Sequence, residues 1–349
     1  MLELMRGNLL EAETDALVNT VNTVGVMGKG IALQFKMAFP DNFAAYKSAC
    51  DVHQVQPGRM FIHERKTLTQ PRYIINFPTK RHWKGVSRME DIESGLENLV
   101  QQVRELNIGS IAIPPLGCGL GGLNWDEVKA RIEAAFQNLP KVRVLLFEPA
   151  GAPSPSKIIH HAPPPRMTKG RAAIIGLIHQ YVVMTYDFVL SMLEIQKLAY
   201  FLVEAGEDLR LEFAKNQYGP YADNLRKSLR DMEGHFTEGF GDGNNKPDTP
   251  MKLLPGAVDA ANHFLADHPE TKEKFSRVAM LIEGFETPYG MELLSTIHWI
   301  ARHENPAALT DDAAAIEGVH RWNDRKCRIF RPDHIRIAWT RLKDQGWLK

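Results

Sequence analysis

Six prolines fall within residues 149–169, interleaved with serines and the pair His160 and His161. Such a stretch can neither bury much apolar surface nor hold a helix, because proline lacks an amide proton and its ring clashes with the preceding turn. Whatever the chain folds into must be built separately on its two sides. The reading is a first domain over residues 1–150, a Pro-rich linker over 151–169 and a second domain over 170–349. With 349 residues, 44% of them hydrophobic, the chain is long enough for two cores.

The two sides carry different periodicities. Before the linker, short β-type runs at 15–19, 72–77, 110–114 and 142–147 alternate with helical patterns, as a sheet covered by helices requires. One helix places Ile92, Leu96, Leu99, Val103 and Leu106 on a single face. Another starts at Asn124 as N-cap, with Glu127 three residues on, and turns Trp125, Val128, Ile132 and Phe136 inward. After the linker, helical spacing dominates at 172–181, 191–204, 222–232, 256–266 and 332–343, with a loop by composition at 239–250. The fold class predicted is an α/β domain followed by a mainly α-helical one.

Lys and Arg number 42, as do Asp and Glu, so the whole chain has no long-range attraction for a polyanion and any nucleic-acid contact must be local. Cys50, Cys118 and Cys327 are spaced for neither a disulfide framework nor a zinc site. The first residues lack a secretory pattern, and no apolar run approaches the ~20 residues of a membrane span. A cytoplasmic protein is expected. His160 and His161 have no further ligands near them in sequence, so no metal is expected, and no cofactor is called for.

Two glycine-bearing stretches, residues 19–30 and 115–122, each follow an apolar run that reads as a strand. Glycine brings backbone amides against a ligand with no side chain between, which suits phosphorylated ligands. Neither stretch is a dinucleotide fingerprint or a P-loop.

The order of motifs in residues 1 to about 150 resembles a macrodomain: Gly7-Asn8-Leu9-Leu10, then Ala16-Leu17-Val18-Asn19-Thr20-Val21-Asn22, then Met27-Gly28-Lys29-Gly30-Ile31-Ala32, then Ile113-Pro114-Pro115-Leu116-Gly117-Cys118-Gly119. The resemblance implies a mixed sheet sandwiched by helices and an ADP-ribose ligand. It implies Asn8 and Leu9 near the adenine, and Gly28, Lys29, Gly30, Ile31 with Gly117, Cys118, Gly119, Leu120, Gly121 at the diphosphate. Asn22 is implied at the distal ribose, and Asn19, Thr20, Val21 and Thr79 complete the implied substrate contacts. Where many members have aspartate this chain has Asn8, whose carbonyl still accepts from an adenine amino group, more weakly for want of charge.

Within macrodomains, Thr79-Lys80-Arg81 resembles the branch of ADP-ribosyl glycohydrolases with a catalytic lysine, which points to Lys80. A lysine attacks only as the neutral amine, and at an ordinary pKa of ~10.4 roughly one in 2,500 is neutral at pH 7. Arg81, Lys84 and desolvation under Trp83 are expected to lower it. Cys118 is the other candidate nucleophile, without an adjacent histidine in sequence. In the relatives of that branch acting on protein glutamate esters an aspartate follows the Gly-Cys-Gly-Leu run, where this chain has Gly121. An N-glycosidic bond to a nucleobase fits that change. Arg81, His82, Trp83, Lys84 and Arg88 mix cations with an aromatic ring, the combination that follows a phosphate backbone and stacks a base. The alternative is a solvated basic turn, with His82 merely exposed.

In the second domain the helix with Lys197-Leu198-Ala199-Tyr200-Phe201 and the later Tyr218-Gly219-Pro220 resemble the antitoxin domain of the SocA or Panacea kind, over roughly 190–230. Leu193, Gln196, Leu198, Tyr200 and Phe201 are read as core, and a basic tail at 321–331 as a partner surface or a solvated face. The whole order resembles the DarG family of antitoxins. That resemblance implies removal of ADP-ribose from thymine bases in ADP-ribosylated DNA by the first domain, with ADP-ribose as product, and binding of the DarT toxin by the second. The alternatives are a non-catalytic ADP-ribose-binding reader and an ADP-ribose phosphatase.

Overall fold

The computed structural model describes residues 1–67, 69–185 and 189–349. By internal contacts the chain divides into two compact units, Met1–Pro163 with Gly241–Asn244, and Pro164–Phe240 with Asn245–Lys349.

The first unit is built on a six-stranded sheet of β1 (Leu2–Met5), β2 (Ala16–Asn22), β3 (Phe61–Glu64), β4 (Tyr73–Lys80), β5 (Ser110–Ile113) and β6 (Arg143–Phe147). Their spatial order is β1-β6-β5-β2-β4-β3, parallel except for the antiparallel edge strand β3. β2 and β4 are buried along almost their whole length because both faces of the central sheet are covered. Alternation then divides each strand: Ala16, Val18, Ile75 and Phe77 pack under one helical layer, Leu17 and Ile74 under the other.

Helices α1 (Gly30–Ala38) and α2 (Pro40–Asp51) precede the pair α3 (Met89–Glu105) and α4 (Trp125–Phe136). α3 buries Ile92, Leu96, Leu99 and Val103, as the spacing predicts, while Leu106 lies just past its end and is only partly buried. Truncating Leu99 to alanine there costs about 2–5 kcal/mol. Gly95 lies on the same face, and a Cβ added to it would sit 2.3 Å from Phe77 of β4, so this helix reaches the sheet only through a glycine. Asn124 caps α4, its side chain accepting from the Asp126 and Glu127 amides at 2.9 and 3.2 Å.

Part of the presumed linker is ordered on this unit. Pro155–Lys157 makes a 3-10 turn, Ile158 is buried, and His161 bonds the Met37 and Ala38 carbonyls. A few apolar and ring groups among the prolines suffice for that, which composition alone did not reveal.

The second unit is mainly helical, with α5 (Lys169–Thr185), α6 (Met192–Glu204), α7 (Leu225–Met232), α8 (Ala257–Leu265), α9 (Pro269–Ile282), α10 (Pro288–Trp299), α11 (Asp312–Trp322), α12 (Asp324–Ile329) and α13 (Pro332–Asp344). Short strands β7 (Leu190–Ser191), β8 (Phe213–Asn216), β9 (Gly219–Ala222), β10 (Thr237–Glu238) and β11 (Pro250–Leu253) lie between them. Ala222, expected to open a helix, instead ends β9. α6 starts in a capping box of Ser191 and Glu194 and is buried on every side over Met192 to Leu202. Two of its buried polar residues, Gln196 and Lys197, hold the Tyr218-Gly219-Pro220 turn and the strand that contains its end. The Lys197 amine donates to the Pro220 carbonyl at 2.7 Å, and the Gln196 amide exchanges bonds with the Ala222 backbone at 3.0 and 3.1 Å. That is why the lysine-bearing helix and the Gly-Pro turn occur together. The basic tail is not simply a solvated face: Lys326 is fully buried, bonded to Glu292 at 2.5 Å, and Arg325 pairs with the same carboxylate.

Candidate functional site

Three loops leave the carboxyl ends of adjacent strands β2, β4 and β5, the edge where α/β sheets gather ligand-binding loops. The first is shaped by Asn22. Its side-chain carbonyl accepts from the Val24 and Val26 amides at 3.0 and 3.3 Å, its amide donates to the Val26 carbonyl at 2.6 Å, and the Tyr46 hydroxyl donates to its backbone carbonyl at 2.6 Å. Asn22, implied at a ribose, therefore also organises the loop that leads to α1. α1 opens at Gly30 with φ +62° and no side-chain cap from Lys29. Its first amide is the kind of donor a phosphate takes. Here the Gly30 amide donates to the Asp242 carbonyl at 2.7 Å.

The second loop turns at Gly117, φ +72°, and closes on itself at Gly121. A Cβ on Gly121 would lie 2.3 Å from both the Gly117 carbonyl oxygen and the Ser87 hydroxyl, so this position has no room for any side chain. The Ser87 amide donates to the Gly121 carbonyl at 3.0 Å, tying the second loop to the third.

The third loop follows Lys80, the last residue of β4. The Lys80 amine donates to the Leu120 carbonyl, and half-burial pushes its pKa below the ordinary lysine value. The cation expected to help, Arg81, is instead neutralised. Its guanidinium makes two bonds to the Asp91 carboxylate at 2.5 and 2.8 Å, and its carbonyl accepts from the Thr23 hydroxyl at 2.7 Å. Trp83 is itself half exposed. Of the expected causes, burial acts on the amine and the neighbouring cations do not. Burial also raises the Cys118 thiol to about 11, and that thiol donates to the Leu116 carbonyl, so Cys118 stays protonated near neutrality and is a poor nucleophile.

The other predicted residues are distributed as follows. Thr20, Val21 and Thr79 line the ends of β2 and β4, with the Thr79 hydroxyl 3.5 Å from the Val21 carbonyl. Gly28, Lys29 and Ile31 flank the start of α1, and Gly119 and Leu120 are exposed on the second loop. Asn19 is fully enclosed, its amide donating to Asn76 at 3.0 Å, and braces the sheet from within. Leu9 is buried in a 3-10 turn that Asn8 caps, the Asn8 carbonyl accepting from the Leu10 amide at 3.1 Å. His82 closes the third loop by accepting from the Lys84 amide at 3.2 Å, the Lys84 amine lies 4.9 Å from the Trp83 ring centroid, and Arg88 is exposed. Thr23, Ser87, Asp91 and Asp242 escaped the sequence reading, since only folding brings them to these loops. Among the described residues no three His, Cys, Asp or Glu side chains gather to hold a metal, and no helix is long and apolar enough to cross a membrane.

The Macro domain family profile matches residues 18–132. A DNA ADP-ribosyl glycohydrolase of Thermus aquaticus is 50% identical over 349 residues, covering 100% of this chain and 95% of its own. The chain belongs to the DNA ADP-ribosyl glycohydrolase family. Membership makes it a hydrolase with a macrodomain at its N-terminus. Also similar is a DNA ADP-ribosyl transferase-DNA ADP-ribosyl glycohydrolase fusion protein of Thermosipho africanus, 37% identical over 142 residues, 36% of this chain and 37% of that one. Among solved structures, the macrodomain of Thermus aquaticus DarG aligns at 62% identity and TM-score 0.42, covering 43% of this chain and 99% of that one.

Proposed function

We propose that the first unit of this DNA ADP-ribosyl glycohydrolase cleaves the N-glycosidic bond between ADP-ribose and thymine in ADP-ribosylated DNA. The observation that carries this reading is Lys80, a half-buried amine with a lowered pKa held between two glycine loops, beside a Gly121 whose geometry forbids an acid. The diphosphate lies against the amides of Gly28, Lys29, Gly30 and Ile31 and of the second loop, which leaves the distal ribose at the end near Asn22 and Lys80. The neutral amine attacks C1″, forming an N–C bond as the bond to thymine breaks. In DNA the N1 of thymine carries deoxyribose, so N3 is the ring nitrogen that leaves. An imide nitrogen is a stable enough anion to depart without a general acid, which accounts for a site lacking a carboxylate at 121. Water then displaces Lys80 and releases ADP-ribose. On the third loop, Arg81, His82, Trp83, Lys84 and Arg88 face the strand that carries the modified base.

An ADP-ribosylated oligonucleotide tests this directly. Thymine-bearing DNA and free ADP-ribose are released by the wild type and not by Lys80→Ala, and borohydride traps a mass increase on Lys80. Binding without release by the wild type would leave an ADP-ribose reader instead.

The second unit acts, in this reading, as the antitoxin that binds and blocks the DarT ADP-ribosyltransferase. The support is the fusion relative, whose name joins a DNA ADP-ribosyl transferase to a DNA ADP-ribosyl glycohydrolase. Co-purification of the full chain with DarT, lost on substitution of exposed residues of the second unit and kept in Lys80→Ala, is the expected result.

A further inference from the structure

Eight large apolar side chains are exposed in the first unit among the described residues, and five of them stand on the three loops around Lys80. Val24 and Val26 belong to the first loop, Trp83 and Val86 to the third and Leu120 to the second, with exposures from 37% to 73%. Soluble domains rarely gather apolar groups in one exposed place without a ligand to cover them. These loops are also tied to one another, by the Thr23 hydroxyl on the Arg81 carbonyl at 2.7 Å, the Ser87 amide on the Gly121 carbonyl at 3.0 Å and Lys80 on Leu120. A Cβ on Gly30 would touch Leu120 at 3.9 Å and one on Gly28 would touch Val26 at 3.6 Å, so the apolar groups border the diphosphate loops.

We propose that Val24, Val26, Trp83, Val86 and Leu120 form an apolar collar that receives the thymine ring as it is displaced from ADP-ribose. The inference rests on the function proposed above and adds the residues that recognise its leaving group. A flat, methyl-bearing pyrimidine has two apolar faces to bury, which a ring of valine, leucine and indole covers. Charge points to the same occupant. Residues 81–89 carry Arg81, Lys84 and Arg88 and no carboxylate, the first loop adds Lys29, and residues 117–123 are uncharged. Among the described residues the only acid bonded to these cations is Asp91, which neutralises Arg81. That balance suits a base still attached to phosphates and disfavours an acidic peptide.

The test compares ligands on the full chain in a Lys80→Ala background, by calorimetry. ADP-ribosyl-thymidine binds about tenfold more tightly than ADP-ribose, as burial of one base face predicts. Val24→Ser with Val86→Ser, both at exposed positions, cuts that excess to about twofold or less and leaves the ADP-ribose Kd unchanged. No excess in the parent, an excess the double variant retains, or an equal excess for a glutamate-linked ADP-ribosyl peptide would each overturn the collar. Failure of the proposed function reads out separately, as a wild-type enzyme that releases no base. An excess lost in the double variant supports the collar whichever way that release assay falls.

Discussion

Asn22 and Lys80 are register partners at the carboxyl ends of parallel strands β2 and β4, one step past an irregularity that leaves Thr79 without a partner of its own. Val21 pairs with Pro78, and the next pair skips to Asn22 with Lys80. The skip sets the lysine level with the residue that shapes the first loop. One strand pair therefore positions both ends of the proposed reaction centre.

Removing the amine removes the proposed nucleophile. Lys80→Ala and Lys80→Arg each lower the rate of base release by roughly 10²–10⁴-fold, the range set by one positioned reacting group. Affinity for ADP-ribose changes little. Single-turnover rates and calorimetry on the same preparations check both halves.

The lysine must be neutral to attack, and burial lowers its pKa. kcat/KM for base release therefore rises with pH and levels off below the ordinary lysine value near 10.4. Asp91→Asn leaves the Arg81 cation uncompensated near the amine, which lowers the lysine pKa further, so the rise moves to lower pH. A profile that stays in place in this variant would show that Arg81 does not act on Lys80.

Placing an acid where relatives of the ester-cleaving branch have one does not convert the site. Gly121→Asp, and Gly121→Ala equally, drive Cβ into the Gly117 carbonyl and the Ser87 hydroxyl. The second loop is forced open at a cost of about 1–3 kcal/mol. Tm and ADP-ribose affinity both fall, and no hydrolysis of a glutamate-linked ADP-ribosyl peptide is gained.

Gly243 lies at φ +80°, and a Cβ there would meet the Gly28 carbonyl at 3.1 Å. Gly243→Val pushes the 241–244 segment away and frees the Gly30 amide from the Asp242 carbonyl. ADP-ribose then binds more tightly, by a few fold. Unaltered affinity in calorimetry would mean that the Gly30 amide is not a phosphate donor.

Burial lowers the Lys197 amine to about 7, with the Lys326 cation acting the same way. In the unfolded chain the group titrates near 10.4, so between about pH 7 and 10 the unfolded state holds a proton the folded state lacks. Stability of the second unit rises with pH across that window and its slope vanishes below it. Lys197→Met flattens the slope in urea unfolding followed at several pH values, leaving the part due to Lys326, which burial brings to about 8.

Much of this was legible beforehand. Periodicity alone located β2, β4, β5 and β6, the buried face of α3 and the Asn124 cap, because both depend on neighbours within one or two turns of chain. Glycine spacing marked two of the three loops that meet at Lys80, and the Thr-Lys-Arg run marked Lys80 itself. Four helices of the second unit, α9, α10, α11 and α12, went unread, and their burial patterns depend on packing partners far along the chain. Lys326 looked like a surface cation because its compensation, Glu292, lies 34 residues away.

The sequence by itself determined the order of elements, the residue types at the three loop tips and the absence of an acid at position 121, all local properties of the chain. Tertiary structure alone decided what surrounds them. The Asp91 carboxylate cancels the Arg81 cation, the Ser87 and Gly117 oxygens exclude a side chain at Gly121, and the Asp242 carbonyl meets the Gly30 amide. Charge compensation and steric exclusion act across a few ångströms of space, whatever the separation along the chain, so no reading of spacing could supply them.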